Sequence, residues 1–345
     1  MELLLEEWLA RMEQDYLRDY LPAGGSTLKT LVVPDPATLA ATGAALDGLA
    51  IRHDLHRCAI DAADTRIHMV ESLVHGVARD MDWDGLAYAY LTRLLEADGF
   101  ALSPDRDRFN VADIAEANST DEREVRARVR ALLHNHLSVD YALSQEFRIA
   151  MLRLCQVQLG AGRAEHEEAE SIVAWLRGEL RLLSALKQAR IFQRVGRNNA
   201  RDIFLSIAHW LRLAGRGGLL LSLDVSRYLQ ARRGLDDQGG LFYSLNATLD
   251  MYEVLRQFID ATGDMESCLV AVLAPPPFLT DDKRGLARYD ALKLRIWDDV
   301  HDRYRANPLA GLVRLRTGEA PMPSMQDGTM ERDAMFAESP VEAAW

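Results

Sequence analysis

The residue placed best for chemistry is Asp224. It ends the run Gly217-Gly218-Leu219-Leu220-Leu221-Ser222-Leu223-Asp224, a glycine turn feeding an apolar strand that stops on a carboxylate. In nucleotide-hydrolysing sites a carboxylate there holds Mg²⁺, and a glutamate that follows often activates the attacking water. Here Val225 follows instead. Losing such a base alone costs about 10²–10⁴ in rate.

Phosphate binding needs a second element, GxxxxGK[ST] directly after the first strand, whose amides cradle the phosphates and whose lysine neutralises them. After the apolar run Thr27 to Val33 the chain reads Pro34-Asp35-Pro36-Ala37-Thr38-Leu39-Ala40-Ala41, with no glycine and no lysine. Proline lacks the N–H that a phosphate needs, and Asp35 repels it. The glycine-rich Gly24-Gly25-Ser26-Thr27-Leu28-Lys29 precedes the strand, on the wrong side for a cradle.

Charge reverses locally between residues 187 and 233. Lys187, Arg190, Arg194, Arg197, Arg201, Arg212, Arg216, Arg227, Arg232 and Arg233 stand against only Asp202 and Asp224. The first five recur every three to four residues, so a helix would carry them on one face. That face offers contacts to nucleic acid, a nucleotide phosphate or an acidic partner, or else a solvated surface paired with acids elsewhere. Arg284, Arg288 and Arg295 follow the fourth apolar run; they read as arginines that complete a neighbour's phosphate site or as ordinary surface pairs.

Other chemistries find little support. His53/His56 and His134/His136 are close pairs without a carboxylate or cysteine at ligand spacing, so no metal is expected beyond Mg²⁺ at Asp224. No GxSxG elbow appears. Cys58, Cys155 and Cys268 are widely spaced and read as reduced, buried thiols. Trp175, Trp210 and Trp297 sit at apolar helical positions and read as core.

The elements that must hold these residues alternate. An amphipathic helix carries Leu5, Trp8, Leu9, Met12, Tyr16 and Tyr20 on one face. Strands are expected at 27–33, 57–61, 219–224, 268–274 and 311–315, and an alanine-rich helix at 37–50. Residues 66 to 213 read as helical throughout, with a start at Ser119-Thr120-Asp121-Glu122 and a periodic helix at 171–186. Further helices are expected at 246–259 and 289–305. Strands alternating with helices imply a parallel sheet covered on both faces. The long helical block makes the chain helix-rich, with a helical insertion. The expected division is 1–65 and 214–316 as the core, 66–213 as the insertion, and 317–345 as a flexible tail.

Bulk properties bound the rest. The chain has 345 residues, 48% of them hydrophobic, and a net charge of -12. An acidic chain does not coat nucleic acid non-specifically. No secretion signal and no spanning segment are legible, so a cytoplasmic protein is expected.

Several stretches, in order, carry a resemblance: Asp61–Met69, Leu143–Met151, Trp175–Glu179, Gly196–Arg201, Leu213-Ala214-Gly215 before the Asp224 strand, and Phe278 through Leu292. In these the chain resembles the ATP-binding proteins of BREX phage-defence systems, BrxC/BrxD-like P-loop ATPases. The resemblance implies an AAA+-like α/β fold, ATP and Mg²⁺ as cofactors, and antiviral defence in a complex. The partners implied are an active ATPase, helicase or nuclease, with DNA reached through the complex. Active members carry a glycine-lysine loop that this chain lacks, and only Asp224 carries over cleanly. The expectation is a pseudo-ATPase scaffold or regulatory subunit. The alternatives are a genuine ATPase with an unusual pocket borrowing Arg197 or Lys29, or a nucleic-acid adaptor acting through 187–233.

Overall fold

The apolar runs form one parallel sheet. A computed structural model describes residues 2–102, 110–160, 162–230, 240–297 and 306–318. Its strands are β1 (Leu3–Leu4), β2 (Thr27–Val32), β3 (Leu55–Asp61), β4 (Gly218–Asp224), β5 (Cys268–Ala274) and β6 (Leu312–Arg316), in the order β1-β6-β2-β5-β4-β3. Every pairing is parallel. Sequence reading anticipated all but β1, a two-residue edge too short to show a period.

Both faces of the sheet are buried, as a parallel sheet requires. Leu219, Leu221, Leu223, Val270 and Val272 point into one core, and Leu220, Leu269, Ala271 and Leu273 into the other. The second core is closed by α1 (Leu5–Met12) and α2 (Pro36–Arg52) through Trp8, Leu46 and Leu49. The first is closed by the remaining helices: α3 (Val70–Arg79), α4 (Trp83–Ala97), α5 (Val111–Ala117), α6 (Glu122–His136), α7 (Gln145–Val157), α8 (Arg163–Leu176), α9 (Ala200–Leu213), α10 (Leu245–Asp260), α11 (Pro277–Thr280) and α12 (Asp290–Ile296). The helical block therefore shares one continuous core with the sheet. Trp175 and Trp210 are buried in it. Cys58, Cys155 and Cys268 are free and buried, and desolvation pushes the Cys268 thiol up to about 12.

Four helical expectations need correction. The first helix does not run to Tyr20: a π turn at Glu13–Leu17 follows α1. The wider turn brings Leu17 and Leu21 into the core and leaves Tyr20 47% exposed. The helix expected at 171–186 is α8, which begins at Arg163 and stops at Leu176. Gly178 ends it, in the left-handed region at φ 75°, while the Glu179 amide donates back to the Ala174 carbonyl at 2.8 Å. This glycine-terminated geometry is a common helix stop. Consequently 187–199 is turn and loop, not a helix, and Lys187, Arg190, Arg194 and Arg197 do not share a helical face with Arg201. The last helix is only α12; Trp297 follows it, half-buried, and 298–305 lie outside the described residues, as do Arg232, Arg233 and the tail from 319.

Candidate functional site at the carboxyl edge of the sheet

Counted from β2, the five longer strands run in the order 5-1-4-3-2. The chain leaves β2 toward one edge of the sheet and leaves β5 toward the other. The order thus reverses between these neighbours, and open α/β sheets bind ligands beyond the carboxyl ends of the strands at such a point. At that point lie the 33–35 connector and the prolines after β5, with Asp224 one strand further along the carboxyl edge and Asp61 two.

The connector from β2 to α2 spans three residues, Val33, Pro34 and Asp35. Val33 continues the sheet, its amide donating to the Ala274 carbonyl at 2.9 Å. Asp35 is the N-cap of α2 and Pro36 its first residue, a favoured start. One Asp35 oxygen accepts from the Thr38 amide at 2.8 Å and the other from the Thr38 hydroxyl at 3.0 Å. These bonds hold the Asp35 carboxyl below its ordinary pKa. The α2 N-terminus therefore carries its own anion where a phosphate would bind.

At the ends of β3 and β4, Asp61 and Asp224 are paired in register. Asp224 accepts from the Ser226 amide at 2.8 Å, and Asp61 from the Ala63 amide at 2.7 Å. Partial burial pushes the Asp61 pKa up, and Asp224 and Asp64 add to the rise. Beside them Tyr228 and Tyr243 stack with centroids 3.8 Å apart. The Tyr228 hydroxyl accepts the His68 amide at 3.0 Å and lies 2.8 Å from His68 Nδ1.

The arginines singled out as phosphate, nucleic-acid or partner contacts are dispersed. Arg284 is tied inward, to the Tyr228 and Tyr243 carbonyls at 3.0 and 3.1 Å and to the Thr248 hydroxyl. Arg295 pairs with Asp260, Arg201 with Asp264 at 2.9 Å, and Arg194 with two carbonyls of its own loop. Arg190, Arg197 and Arg288 are exposed. Lys29 lies in mid-strand, 3% exposed, and donates to the Tyr16 hydroxyl and the Leu309 carbonyl. At about 3.3 Å per residue, it sits roughly 10 Å short of the strand's end.

Sequence reading missed Asp61, whose strand carries no glycine turn to mark it. It also missed Asp35 as a cap, although Asp-Pro before an alanine-rich run is a helix-start signal.

The sheet and its edge define a P-loop-like α/β protein. The family described as BREX system ATP-binding protein BrxC/D matches residues 109–319, more than half of the 345-residue chain, and the chain belongs to that family. No curated protein and no solved structure matches it. The matched stretch contains Asp224 and excludes β2 and its connector. No described helix is long and apolar enough to cross a membrane.

The family implies ATP, and the residues at the switch point do not fit it. The connector is too short to wrap a triphosphate, it contains Pro34 and is followed by Pro36, and Asp35 fills the helix end. A cavity beyond the ends of β2, β5 and β6, lined by Val32, Pro34, Pro276, Leu279 and Arg314 and not by Asp61 or Asp224, measures about 140 Å³. Small-molecule sites are typically about 300–1,000 Å³.

Proposed function

We propose that this chain serves its BREX system as a pseudo-ATPase, a scaffold or regulatory subunit in antiviral defence that does not turn over ATP. The observation that carries this reading is the three-residue connector whose Asp35 caps α2. The sheet that would hold a nucleotide survives, together with the Mg²⁺-position carboxylate Asp224. The cradle and the water-activating glutamate do not. A genuine ATPase with a borrowed cation is disfavoured, because Lys29 is committed inside the fold and Arg197 lies in the 178–199 loop.

In this role the subunit acts by docking. Its partners are the active ATPase, helicase or nuclease of the same system, in the cytoplasm, with DNA engaged through the complex. The test is phage plating on cells carrying the whole system. Deleting this subunit is expected to abolish protection, while Asp224→Ala leaves it intact. Protection that persists without the subunit, or that is lost with Asp224→Ala in a stably folded protein, contradicts the proposal.

A further inference from the structure

The loop between α8 and α9 is closed on itself. The Arg194 guanidinium donates to the carbonyls of Leu180 and Arg181 at 2.8 and 2.6 Å, drawing its two ends together. Trp175 Nε1 donates to the Gln193 carbonyl at 2.9 Å, and the Asn199 side chain holds the Gly196 amide and the Arg194 carbonyl. Leu186, Ala189, Ile191 and Val195 fill the interior, all buried. The 180–194 stretch, closed by Arg194 and packed by its own side chains, is a compact surface loop of the Ω kind, a form often used for binding.

Its outer surface has an unusual composition. The side chains of Arg181, Lys187, Arg190 and Arg197 are exposed and make no ion pair or hydrogen bond among the described residues. There is no aspartate or glutamate from residue 180 to residue 201. With these cations stand two exposed apolar side chains, Leu182 (71%) and Phe192 (65%). Arg190 holds the left-handed region at φ 61°, a conformation that costs a non-glycine residue energy.

We infer that this loop is a binding surface for single-stranded nucleic acid, with the four cations on the phosphates and Phe192 stacked on a base. Three of the four cations are arginines, whose planar fork matches phosphate oxygens. An exposed aromatic beside them supplies the platform on which unpaired bases stack, and a duplex does not offer those faces. The chain as a whole is acidic, at -12, so attraction to a polyanion must come from such a local patch. An amphipathic helix would suit a lipid surface, but this segment is a loop. The inference is independent of whether the sheet's edge binds nucleotide.

The test is fluorescence anisotropy of the full chain with labelled dT20, rU20, a matched duplex and poly-glutamate, over a range of salt. Single strands of either sugar are expected to bind more tightly than duplex or poly-glutamate, with log K falling against log salt at a slope of roughly −3 for four phosphate contacts. Phe192→Ala is expected to weaken binding about tenfold without changing that slope, and Phe192→Trp to retain it. Arg181→Glu, Lys187→Glu, Arg190→Glu and Arg197→Glu together are expected to abolish binding. All five side chains are exposed, so melting temperatures should hold. No binding at low salt, equal binding of duplex or poly-glutamate, or insensitivity to either set of substitutions would overturn the inference.

Discussion

Asp35 accepts two hydrogen bonds from Thr38, one from its amide at 2.8 Å and one from its hydroxyl at 3.0 Å. A single side chain thus satisfies the helix end that a P-loop leaves open for phosphate. Thr38 is held in turn: its carbonyl accepts from the Thr42 hydroxyl at 2.7 Å, and its hydroxyl lies 3.3 Å from that of Thr317 beyond β6.

Removing this cap should cost stability and gain no function. Asp35→Ala is expected to lower the urea midpoint, and Asp35→Ser to restore most of it. Because the folded pKa is depressed, the carboxylate's contribution is present above the unfolded aspartate pKa and is lost as pH falls through the folded value. The Asp35→Ala deficit should therefore shrink in acid. A deficit that stays constant down to strongly acidic pH would show that the cap acts without its charge.

His209 on α9 bridges two carboxylates, Asp140 at 2.9 Å and Glu266 at 2.5 Å. Arg212 of the same helix also faces Glu266, at 4.0 Å. Asp140 belongs to the α6–α7 loop and Glu266 to the turn before β5, so the imidazole ties the helical block to the sheet. Partial burial pulls its pKa down, but the hydrogen bonds and charges of Glu266 and Asp140 outweigh this, and the net shift is upward. The stabilisation is therefore full below the unfolded histidine pKa and is lost as pH rises through the folded value. His209→Gln should lower the melting temperature most at mildly acidic pH and least in the alkaline range. An effect that does not depend on pH would rule out protonation of the bridge.

The Asp61–Asp224 pair has the same pH sign as His209, but its substitution has the opposite effect. Asp61 has a raised folded pKa, so its ionisation disfavours the fold as pH rises from the unfolded aspartate value through the folded one. Asp61→Asn keeps an oxygen for the Ala63 amide and removes the repulsion. It should melt higher than wild type at neutral pH and no higher well below the carboxylate range. A lower melting temperature at neutral pH would mean that ionised Asp61 stabilises the fold despite its partial burial and the charge of Asp224.

Gly218 opens β4 at φ 139°, and a Cβ there would lie 2.1 Å from the Ser267 carbonyl oxygen. That oxygen accepts the Leu219 amide at 2.9 Å and cannot yield. Gly218→Ala should destabilise the protein by more than ~1 kcal/mol, measured by denaturant unfolding. Near-neutral stability would show that the β4–β5 start can shift.

β2, β4, β5 and β6 were legible because they are short apolar runs bounded by glycine or proline. Asp224 was legible because one such run ends in it. What failed was the helix period across 171–201. Basic residues every three to four positions imitate an amphipathic face, but Gly178 had already stopped the helix, and the buried residues Leu186, Ala189, Ile191 and Val195 follow no helical spacing. The His209 bridge was invisible for another reason: its partners lie 69 and 57 residues away in sequence, and only the packing of α9 brings them together.

The measurement that bears most directly on the account is ATP binding by the full chain, by titration calorimetry with and without Mg²⁺, with Asp224→Ala alongside. The account predicts no saturable heat up to about 1 mM ATP in any of these conditions. Binding in the micromolar range that requires Mg²⁺ and disappears in Asp224→Ala would contradict it, and would mean that the edge of this sheet still takes a nucleotide despite the Asp35 cap.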